Sequence, residues 1–213
     1  MEPVWAVVVA AGSGSRFGGS KQYAVLGGQT VLARSVVAAR TACDAVVAVV
    51  PPGDERLAVV LEAGADAVVA GAPTRAGSVR AGLHAVPADV AIVVVHDAAR
   101  PLARPMLFAE VVAAVRDGAD GAITAVAVTD TVKRVEGNLV LGTVDRADLV
   151  AVQTPQAFRA SVLRRAHAGG EEATDDAALV EAAGGKVVVV AGDPGNLKLT
   201  TPDDVAVAEA LLR

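Results

Sequence analysis

A glycine-rich segment with two basic residues lies near the start of the chain, in AAGSGSRFGGSKQ from Ala10 to Gln22. Glycines let backbone N–H groups approach an anion closely, and Arg16 and Lys21 add fixed positive charge. The segment lacks the pattern GxxxxGK(S/T), because Gln22 follows the lysine, and it lacks GxGxxG, because Phe17 stands where the third glycine would be. It therefore favours a phosphate-binding loop and argues against both a P-loop ATPase and a dinucleotide dehydrogenase.

A second group of polar residues follows a Val-rich run, in VVVHDAARP from Val93 to Pro101. Asp97 comes at the end of the run, where a carboxylate can bind a metal or orient a substrate, or can simply cap a surface turn. His96 is interpreted as a histidine packed in the core rather than a ligand. Lys198 lies between two leucines just before a helix start, and the pattern alone leaves open whether it binds a ligand.

The composition predicts one α/β domain and restricts the classes of partner. The 213 residues are 53% hydrophobic and only 2% aromatic, so the core must come from Ala- and Val-rich helices and strands. A net charge of -5 argues against nucleic-acid binding, which requires basic patches, and leaves a small anionic substrate possible. The single Cys43 can form no internal disulfide, which favours a reducing, cytoplasmic setting. No apolar run approaches the roughly 20 residues needed to cross a bilayer, so we expect no membrane partner.

Short Val-rich runs alternate with amphipathic or Ala-rich stretches along the chain. Alternation of this kind predicts right-handed βαβ units, and therefore a Rossmann-like, mostly parallel sheet flanked by helices in a single domain over residues 1–213. The apolar runs are interpreted as strands buried on both faces: Val4–Ala10, Ala45–Val50, Ala67–Ala70, Val90–Val95, Gly121–Val128 and Lys186–Ala191. The predicted helices are Val31–Ala39, Glu55–Ala63, Gly77–Ala85, Pro105–Arg116 and Ser161–Ala168. A last helix is predicted with Thr201 as N-cap and Pro202 at its first position.

One region, at about residues 129–150, departs from this alternation. Residues 131–136 and 138–145 alternate apolar and polar side chains around a Gly-Asn turn signal at 137–138, which predicts a protruding β-hairpin arm. An isolated two-stranded arm is marginal in water, so it should pack on something, and a second copy of the chain is the simplest candidate. We therefore expect a homodimer. Taken singly, Arg146 on this arm would be interpreted as a solvated charge.

Taken in order along the chain, these motifs are similar to those of one family of enzymes. They are AAGSGSR, KQ, RAGSVRAGL from Arg75 to Leu83, VHDAARP, DTVK, QTPQAF, TDD and NLKLTTPDD. The set resembles the 2-C-methyl-D-erythritol 4-phosphate cytidylyltransferases over the whole chain, and HDAARP together with QTPQ and NxKxT is specific to that family and its near relatives. The resemblance implies transfer of CMP from CTP to methylerythritol 4-phosphate in the non-mevalonate isoprenoid pathway. Pyrophosphate would be the second product and Mg²⁺ the cofactor.

The resemblance also implies roles for particular residues. Arg16 and Lys21 would stabilise the transition state at the α-phosphate, while Arg146 and Lys198 would position the phosphate of the acceptor. Near that acceptor would lie Asp97, Arg100, Thr131 and Thr174, with Asp97 as a candidate magnesium ligand. Nucleotide binding would fall to Ala10, Ala11, Gly12, Gly14, Gly71 and Ser78. Since Thr131 and Arg146 lie on or beside the hairpin, the resemblance implies that the arm crosses into a neighbouring subunit and shares its active site.

The residue types agree with this chemistry, because attack of one phosphate on another needs charge neutralisation more than it needs a base. A phosphomonoester has its second pKa at about 6, so the nucleophile is already ionised at neutral pH. The chain accordingly offers no convincing nucleophile–His–carboxylate set. Three alternatives stay open: a ribitol 5-phosphate cytidylyltransferase, an enzyme that transfers GMP or UMP, and a nucleotide-binding module that lacks catalysis.

Overall fold

The computed structural model describes residues 2–12 and 14–213. Within these residues, the strands are β1 (Val4–Val9), β2 (Val25–Leu26), β3 (Gln29–Thr30), β4 (Ala45–Val50), β5 (Ala67–Ala70), β6 (Ile92–Asp97), β7 (Gly121–Ala127), β8 (Val132–Glu136), β9 (Leu139–Val144), β10 (Val150–Arg159) and β11 (Val187–Ala191). The helices are α1 (Val31–Arg40), α2 (Leu57–Glu62), α3 (Arg75–Ala85), α4 (Pro105–Arg116), α5 (Ala160–His167), α6 (Asp176–Ala182) and α7 (Asp203–Leu211).

Seven strands form one twisted sheet in the order β11-β7-β10-β6-β1-β4-β5. All neighbouring pairs are parallel except those of β10, which runs antiparallel to both β6 and β7. The predicted fold class, a mostly parallel sheet flanked by helices, is therefore confirmed. Because β1, β4 and β6 are adjacent and parallel, their carboxyl ends meet at one edge of the sheet, which is where open α/β sheets bind ligands.

The core lies in two apolar layers, one on each face of the sheet. On one face, Val36 of α1 and Phe108 of α4 pack against alternate residues of the central strands. On the other face, Leu83 of α3, Leu163 of α5 and Val180 of α6 pack against the remaining ones. The central strands are thus buried on both faces, as predicted, whereas the edge strands β5 and β11 are only half-buried, so that part of the prediction was wrong.

The arm is a two-stranded sheet, β8-β9, separate from the main sheet. Its turn lies at residues 137–138, where Gly137 adopts a left-handed φ of 55° that suits glycine. The hairpin itself is therefore present as predicted. Val135 and Val140 are opposite each other across the hairpin and are 57% and 56% exposed. The arm thus carries apolar surface that the rest of its own chain leaves uncovered.

Three local features differ from the expectations. β10 and α6 were not predicted, because QTPQ contains a proline that is unusual inside a strand and α6 is only seven residues long. The N-cap of α7 is Pro202 rather than Thr201. The Asp204 carboxylate stabilises this helix start, because its Oδ2 accepts hydrogen bonds from the N–H groups of Thr200 and Thr201, just before the helix, at 2.6 and 2.7 Å.

Candidate active site

A cavity of about 390 Å³ opens beside the carboxyl end of β6. Its polar walls come from five parts of the chain: the start of α3, the end of β6 with its following turn, β10, the region of α6, and the loop before α7. The lining residues are Arg75, Asp97, Arg100, Ile123, Val152, Gln153, Thr154, Gln156, Thr174, Asp175, Ala177, Glu181 and Lys198. Four of the residues predicted from the sequence, Asp97, Arg100, Thr174 and Lys198, therefore lie around one cavity.

Asp97 lies at the end of β6 and holds a cation on each carboxylate oxygen. Its Oδ1 accepts from Arg75 Nε at 3.1 Å, and its Oδ2 accepts from Lys198 Nζ at 2.6 Å. Burial acts to raise the pKa of the Asp97 carboxyl, but the positive charges of Arg75 and Lys198 outweigh burial and hold that pKa well below its ordinary range. Asp97 is consequently a carboxylate that organises cations, and the interpretation as a simple turn cap is wrong.

Arg75, which binds Asp97, also forms an ion pair with a buried carboxylate. Arg75 Nη1 donates to Asp176 Oδ2 at 2.8 Å, and Asp176 Oδ1 lies 2.9 Å from His167 Nε2. Asp176 and His167 are both buried. Burial lowers the pKa of the Arg75 guanidinium, but the two carboxylates more than offset it, so its pKa lies above the ordinary value. His96 is also buried, as predicted, and packs against Phe108 with ring centroids 4.9 Å apart and the ring planes tilted by 58°.

Lys21 approaches the same edge from the glycine-rich segment. Its Nζ donates to the backbone carbonyl of Leu199 at 2.9 Å, which fixes it beside the neighbouring Lys198. Burial, and then repulsion from Lys198, lower the pKa of Lys21. Repulsion between the two lysine ammonium groups favours binding of an anion beside them, so the arrangement is suited to a phosphate.

The glycine-rich segment places Arg16 on the solvent side of Lys21. Arg16 lies in a short 3-10 turn, Ser15–Phe17, between Gly14 with φ 64° and Gly18 with φ 81°. A side chain at Gly14 would also run into the carbonyl of Gly19, so this position requires glycine. The exposed Arg16 guanidinium contributes to the positive potential at Lys21.

The predicted nucleotide-binding residues meet beside the ends of β1 and β5. A Cβ at Gly71 would contact the side chain of Ala11 and would lie 2.9 Å from Ser78 Oγ, so these three residues pack closely. The N–H groups of Ala10 and Gly71 continue the sheet by donating to backbone carbonyls of β4 at 2.7 and 2.8 Å. These two amides are therefore occupied, and the amides of Ala11 and Gly12 are better candidates for contacting a base.

Ser78 has a local role in addition to the one predicted for it. Its Oγ accepts from the N–H of Ala72 at 3.0 Å and lies 2.9 Å from the carbonyl oxygen of Thr74. The hydroxyl thus shapes the turn that follows β5. Direct reading of a base by this hydroxyl stays a prediction.

Two predicted residues are not brought to the cavity by their own chain. Thr131 and Arg146 are both exposed, at the two ends of the arm, and neither lines the cavity. Arg100, by contrast, is fixed by donating from Nη1 to the carbonyl of Asn196 at 2.7 Å. The acceptor-positioning residues of the prediction therefore divide into a group assembled within the chain and a group displayed on the arm.

Several residues that build the site had no role assigned from the sequence. Arg75 stands in the quoted motif RAGSVRAGL, but its partner Asp176 is 101 positions away, so no local spacing could reveal the pair. Thr154 Oγ1 accepts from the N–H of Asp97 at 3.0 Å, and Asn196 Nδ2 donates to the carbonyl of Thr154 at 2.9 Å. The QTPQ and NLK motifs thus hold each other and the end of β6 in place.

The donor set fits a metal that is shared with a substrate better than one caged by protein. Within residues 2–12 and 14–213, no group of three or more His, Cys, Asp or Glu side chains could hold a metal ion. Asp97, the predicted ligand, is a carboxylate at the edge of an open cavity, although cations cover both of its oxygens. Mg²⁺ is commonly held by one or two carboxylates together with substrate phosphates and water, and Asp97 could serve in that way.

No helix of the described residues is long and apolar enough to span a bilayer.

The site brings together the positive charges of four basic residues around one buried carboxylate: Arg16, Lys21, Arg100 and Lys198. Such a site can bind and neutralise several phosphate groups at once.

Comparison with known proteins supports the same conclusion. The family model described as IspD, 2-C-methyl-D-erythritol 4-phosphate cytidylyltransferase, matches residues 4–213. The enzyme of that name from Rhodococcus opacus is 47% identical over 99% of this chain and 95% of its own length. The chain is also 51% identical to a bifunctional enzyme IspD/IspF from Anaeromyxobacter dehalogenans, of which it spans only 57%; for this and two other bifunctional relatives the chain matches little more than half of their length.

The fold matches solved structures over its full extent. The crystal structure of 2-C-methyl-D-erythritol 4-phosphate cytidylyltransferase from Thermus thermophilus superimposes with a TM-score of 0.84 at 36% identity, covering 99% of this chain and 98% of that one. A crystal structure of 4-diphosphocytidyl-2C-methyl-D-erythritol synthase gives a TM-score of 0.86 at 35% identity and covers 100% of both chains. With the family model, the relatives and the site geometry in agreement, the chain belongs to the IspD family of 2-C-methyl-D-erythritol 4-phosphate cytidylyltransferases.

Proposed function

We propose that this chain transfers CMP from CTP to 2-C-methyl-D-erythritol 4-phosphate, releasing pyrophosphate and forming 4-diphosphocytidyl-2-C-methyl-D-erythritol. The observation that carries the proposal is that two ammonium groups are fixed at the carboxyl edge of the sheet, that of Lys21 on the carbonyl of Leu199 and that of Lys198 on Asp97. Family membership supplies the identity of the nucleotide and the acceptor.

In the proposed reaction, a phosphate oxygen of the acceptor attacks the α-phosphorus of CTP, and the bond from that phosphorus to the bridging oxygen of pyrophosphate breaks. Lys21 and Arg16 neutralise the charge that develops on the α-phosphate and the leaving group. Lys198 and Arg100 hold the acceptor's phosphate on the cavity side. No general base is required, because the attacking oxygen is already ionised at neutral pH.

Nucleotide binding is assigned to the region where β1 and β5 end. Gly71 packs closely against Ala11 and so joins the ends of the two strands, and the open space beside Gly12 leaves room for a phosphate to approach the backbone. Asp97 is the residue that would hold Mg²⁺, and the ion would supply neutralisation of phosphate charge. Asp97 also orients Lys198.

We further propose that the active form is a homodimer in which the arm of one copy completes the site of the other. The exposed valines of the hairpin and the exposed Arg146 and Thr131 support this arrangement. A flexible arm in water could not hold Arg146 at a fixed distance from Lys198, whereas an arm packed on a second copy could.

The direct test is pyrophosphate release by the purified protein with Mg²⁺ and CTP, run in parallel with methylerythritol 4-phosphate and ribitol 5-phosphate. We expect release with methylerythritol 4-phosphate and little with ribitol 5-phosphate. Release with ribitol 5-phosphate alone would contradict the proposed acceptor but keep the cytidylyl chemistry. Release from GTP or UTP in preference to CTP would contradict the base, and tight CTP binding with no release would favour a non-catalytic module.

A further inference from the structure

We propose that Arg75 is a positioning residue: its guanidinium, anchored on Asp176, orients Asp97 and through it Lys198, and so sets the affinity of the site for the phosphorylated acceptor. The inference rests on the proposed function, because it assigns Lys198 to the acceptor's phosphate. It adds to that function the set of residues that keeps Lys198 in place.

The starting point is that Lys198 cannot hold its own position. Its side chain is 45% exposed, and a free lysine side chain loses roughly 2 kcal/mol of rotamer entropy when it is fixed. The backbone around it is firm, since the buried Leu199 donates its N–H to the carbonyl of Ala99 at 2.8 Å. The position of the ammonium group therefore depends on its bond to Asp97.

Asp97 is in turn held from behind by Arg75. The guanidinium donates from Nε to Asp97 and from Nη1 to Asp176, and so joins the end of β6 to the start of α6. A planar guanidinium can serve two carboxylates in fixed directions, whereas a lysine ammonium at the same place is a point charge without that geometry. Asp176 is fully buried and is fixed by His167, so Arg75 is anchored on a rigid, buried carboxylate. Lys198, which depends on Asp97, lies at the open cavity.

A purely structural role for Arg75 would need only the pair with Asp176. The second bond, to Asp97, joins Arg75 to a residue that lines the cavity and holds Lys198. Arg75 and Lys198 bind different oxygens of the Asp97 carboxylate, so Arg75 acts on the acceptor side of the site through other residues. Arg75 also lines the cavity, but its Nε and Nη1 are taken by Asp97 and Asp176, so the proposal gives it a positioning role.

The start of α3 itself does not depend on the Arg75 side chain. Thr74 caps the helix, because its Oγ1 accepts from the N–H of Gly77 at 3.0 Å, and Ser78 holds the preceding turn through Ala72. Replacing the guanidinium should therefore leave the nucleotide side of the site in place. A kinetic test can therefore distinguish an effect on KM for methylerythritol 4-phosphate from an effect on KM for CTP.

The test compares Arg75→Gln with the wild-type enzyme, measuring kcat and KM for each substrate. We expect KM for methylerythritol 4-phosphate to rise about tenfold, the equivalent of one charged hydrogen bond, with KM for CTP changed less than about twofold. Arg75→Lys keeps the positive charge but cannot direct hydrogen bonds to both Asp97 and Asp176. It should therefore recover the wild-type melting temperature more fully than it recovers the wild-type KM for methylerythritol 4-phosphate.

The matched control is Arg164→Gln. Arg164 is also an arginine that ties segments together, donating to the carbonyls of Val86 and Pro87 at 3.0 and 2.8 Å, but it does not line the cavity. Its replacement should lower the melting temperature and leave both KM values unchanged. If Arg75→Gln behaves in the same way as this control, Arg75 is only structural and the inference is overturned.

Two further measurements keep the outcome decisive. If Arg75→Gln does not fold, Asp176→Asn weakens the bond that fixes Arg75 and leaves the guanidinium in place. A rise in KM for methylerythritol 4-phosphate that is smaller than about tenfold supports the inference, and no rise overturns it. If the wild-type protein releases no pyrophosphate, the proposed function fails, and the positioning of Lys198 by Arg75 and Asp97 is tested in the absence of substrate. The ¹⁵N NMR signal of the Lys198 ammonium should then shift in Arg75→Gln and not in Arg164→Gln, whereas an unchanged signal overturns the inference.

Discussion

The edge of the sheet around Asp97 and the arm at residues 129–150 differ in how they hold their basic residues. At the sheet edge, Lys198 is bonded to a buried carboxylate and Lys21 to a backbone carbonyl. On the arm, Arg146 is exposed, and among the described residues it makes no ion pair or side-chain hydrogen bond. Both regions are predicted to contact the same acceptor phosphate. The first is preorganised by its own chain, and the second can be preorganised only by a partner.

The difference suggests a division of roles. Preorganised cations can stabilise a transition state at no further cost in ordering, so Lys21 at the sheet edge should affect the rate constant, whereas Lys198 is assigned to acceptor affinity. Residues on an arm that must first dock on another copy should affect substrate affinity and depend on assembly. Three single substitutions, each with a control variant, and one double substitution on the arm test this division.

The largest effect is expected for Lys21→Ala. Loss of a fixed ammonium at the α-phosphate should reduce kcat by about 10²-fold or more while changing the KM values little, because the interaction is made mainly in the transition state. Lys133→Ala is the counterpart on the arm, where Nζ bonds only to Thr143 Oγ1 at 2.6 Å, and it should leave kcat unchanged. Steady-state kinetics would show this, and an unaltered kcat for Lys21→Ala would remove that residue from the mechanism.

Next in size is the effect of Arg146→Ala. It should raise KM for methylerythritol 4-phosphate by about 10- to 100-fold, the range for one or two charged hydrogen bonds, with the dimer intact. Mixing it with Lys198→Ala tests whether the arm serves the other copy. If it does, a mixed dimer has one site with both changes and one with neither, so random mixing should restore about a quarter of wild-type activity.

The control for this mixing is Lys198→Ala combined with Lys21→Ala, because both residues belong to the same chain's sheet edge. That mixture should restore nothing, since every site in it carries one change. No recovery with Arg146→Ala would show that the arm completes its own chain's site, and recovery in the control would show that Lys21 and Lys198 do not serve the same site. Sedimentation would confirm that each variant remains dimeric.

A smaller effect is expected for Gly71→Ala. The new Cβ would meet Ala11 and Ser78, disturbing the proposed nucleotide-binding region, so KM for CTP should rise by about tenfold with little change in KM for the acceptor. Gly142→Ala in the arm has no atom within 4 Å of the new Cβ and should be neutral. Equal KM values for CTP in the two variants would contradict the placement of the base at Gly71.

The smallest effect is expected for Val135→Ser combined with Val140→Ser. The two valines pair across the hairpin and are more than half exposed within the chain. If a second copy covers part of their surface, their loss should raise the dimer dissociation constant by about tenfold, which corresponds to roughly 1.4 kcal/mol of lost apolar burial across the whole interface. Sedimentation velocity over a range of concentrations measures this; an unchanged constant would place the interface elsewhere.

The sequence predicted regular elements well where the pattern is local. β4, β5 and α4 begin and end at the predicted residues, because Val-rich runs and the proline at the start of α4 are strong local signals. β10 escaped prediction because its pairing with β6 and β7 depends on residues far away in the chain. Arg75 escaped for the same reason: a motif indicates that an arginine is present, but not that its two partners come from β6 and α6.

The position of β10 has a consequence for how the molecule is made. β10 lies between β6 and β7 in the sheet but follows both of them in the chain, directly after the arm. Until residues 150–159 have left the ribosome, β6 and β7 each present an unpaired edge, and nascent chains with open edges are prone to mispairing. The same segment carries Thr154, which holds Asp97, while β11 and Lys198 follow still later, so the sheet edge around Asp97 is completed only when the last part of the chain is available.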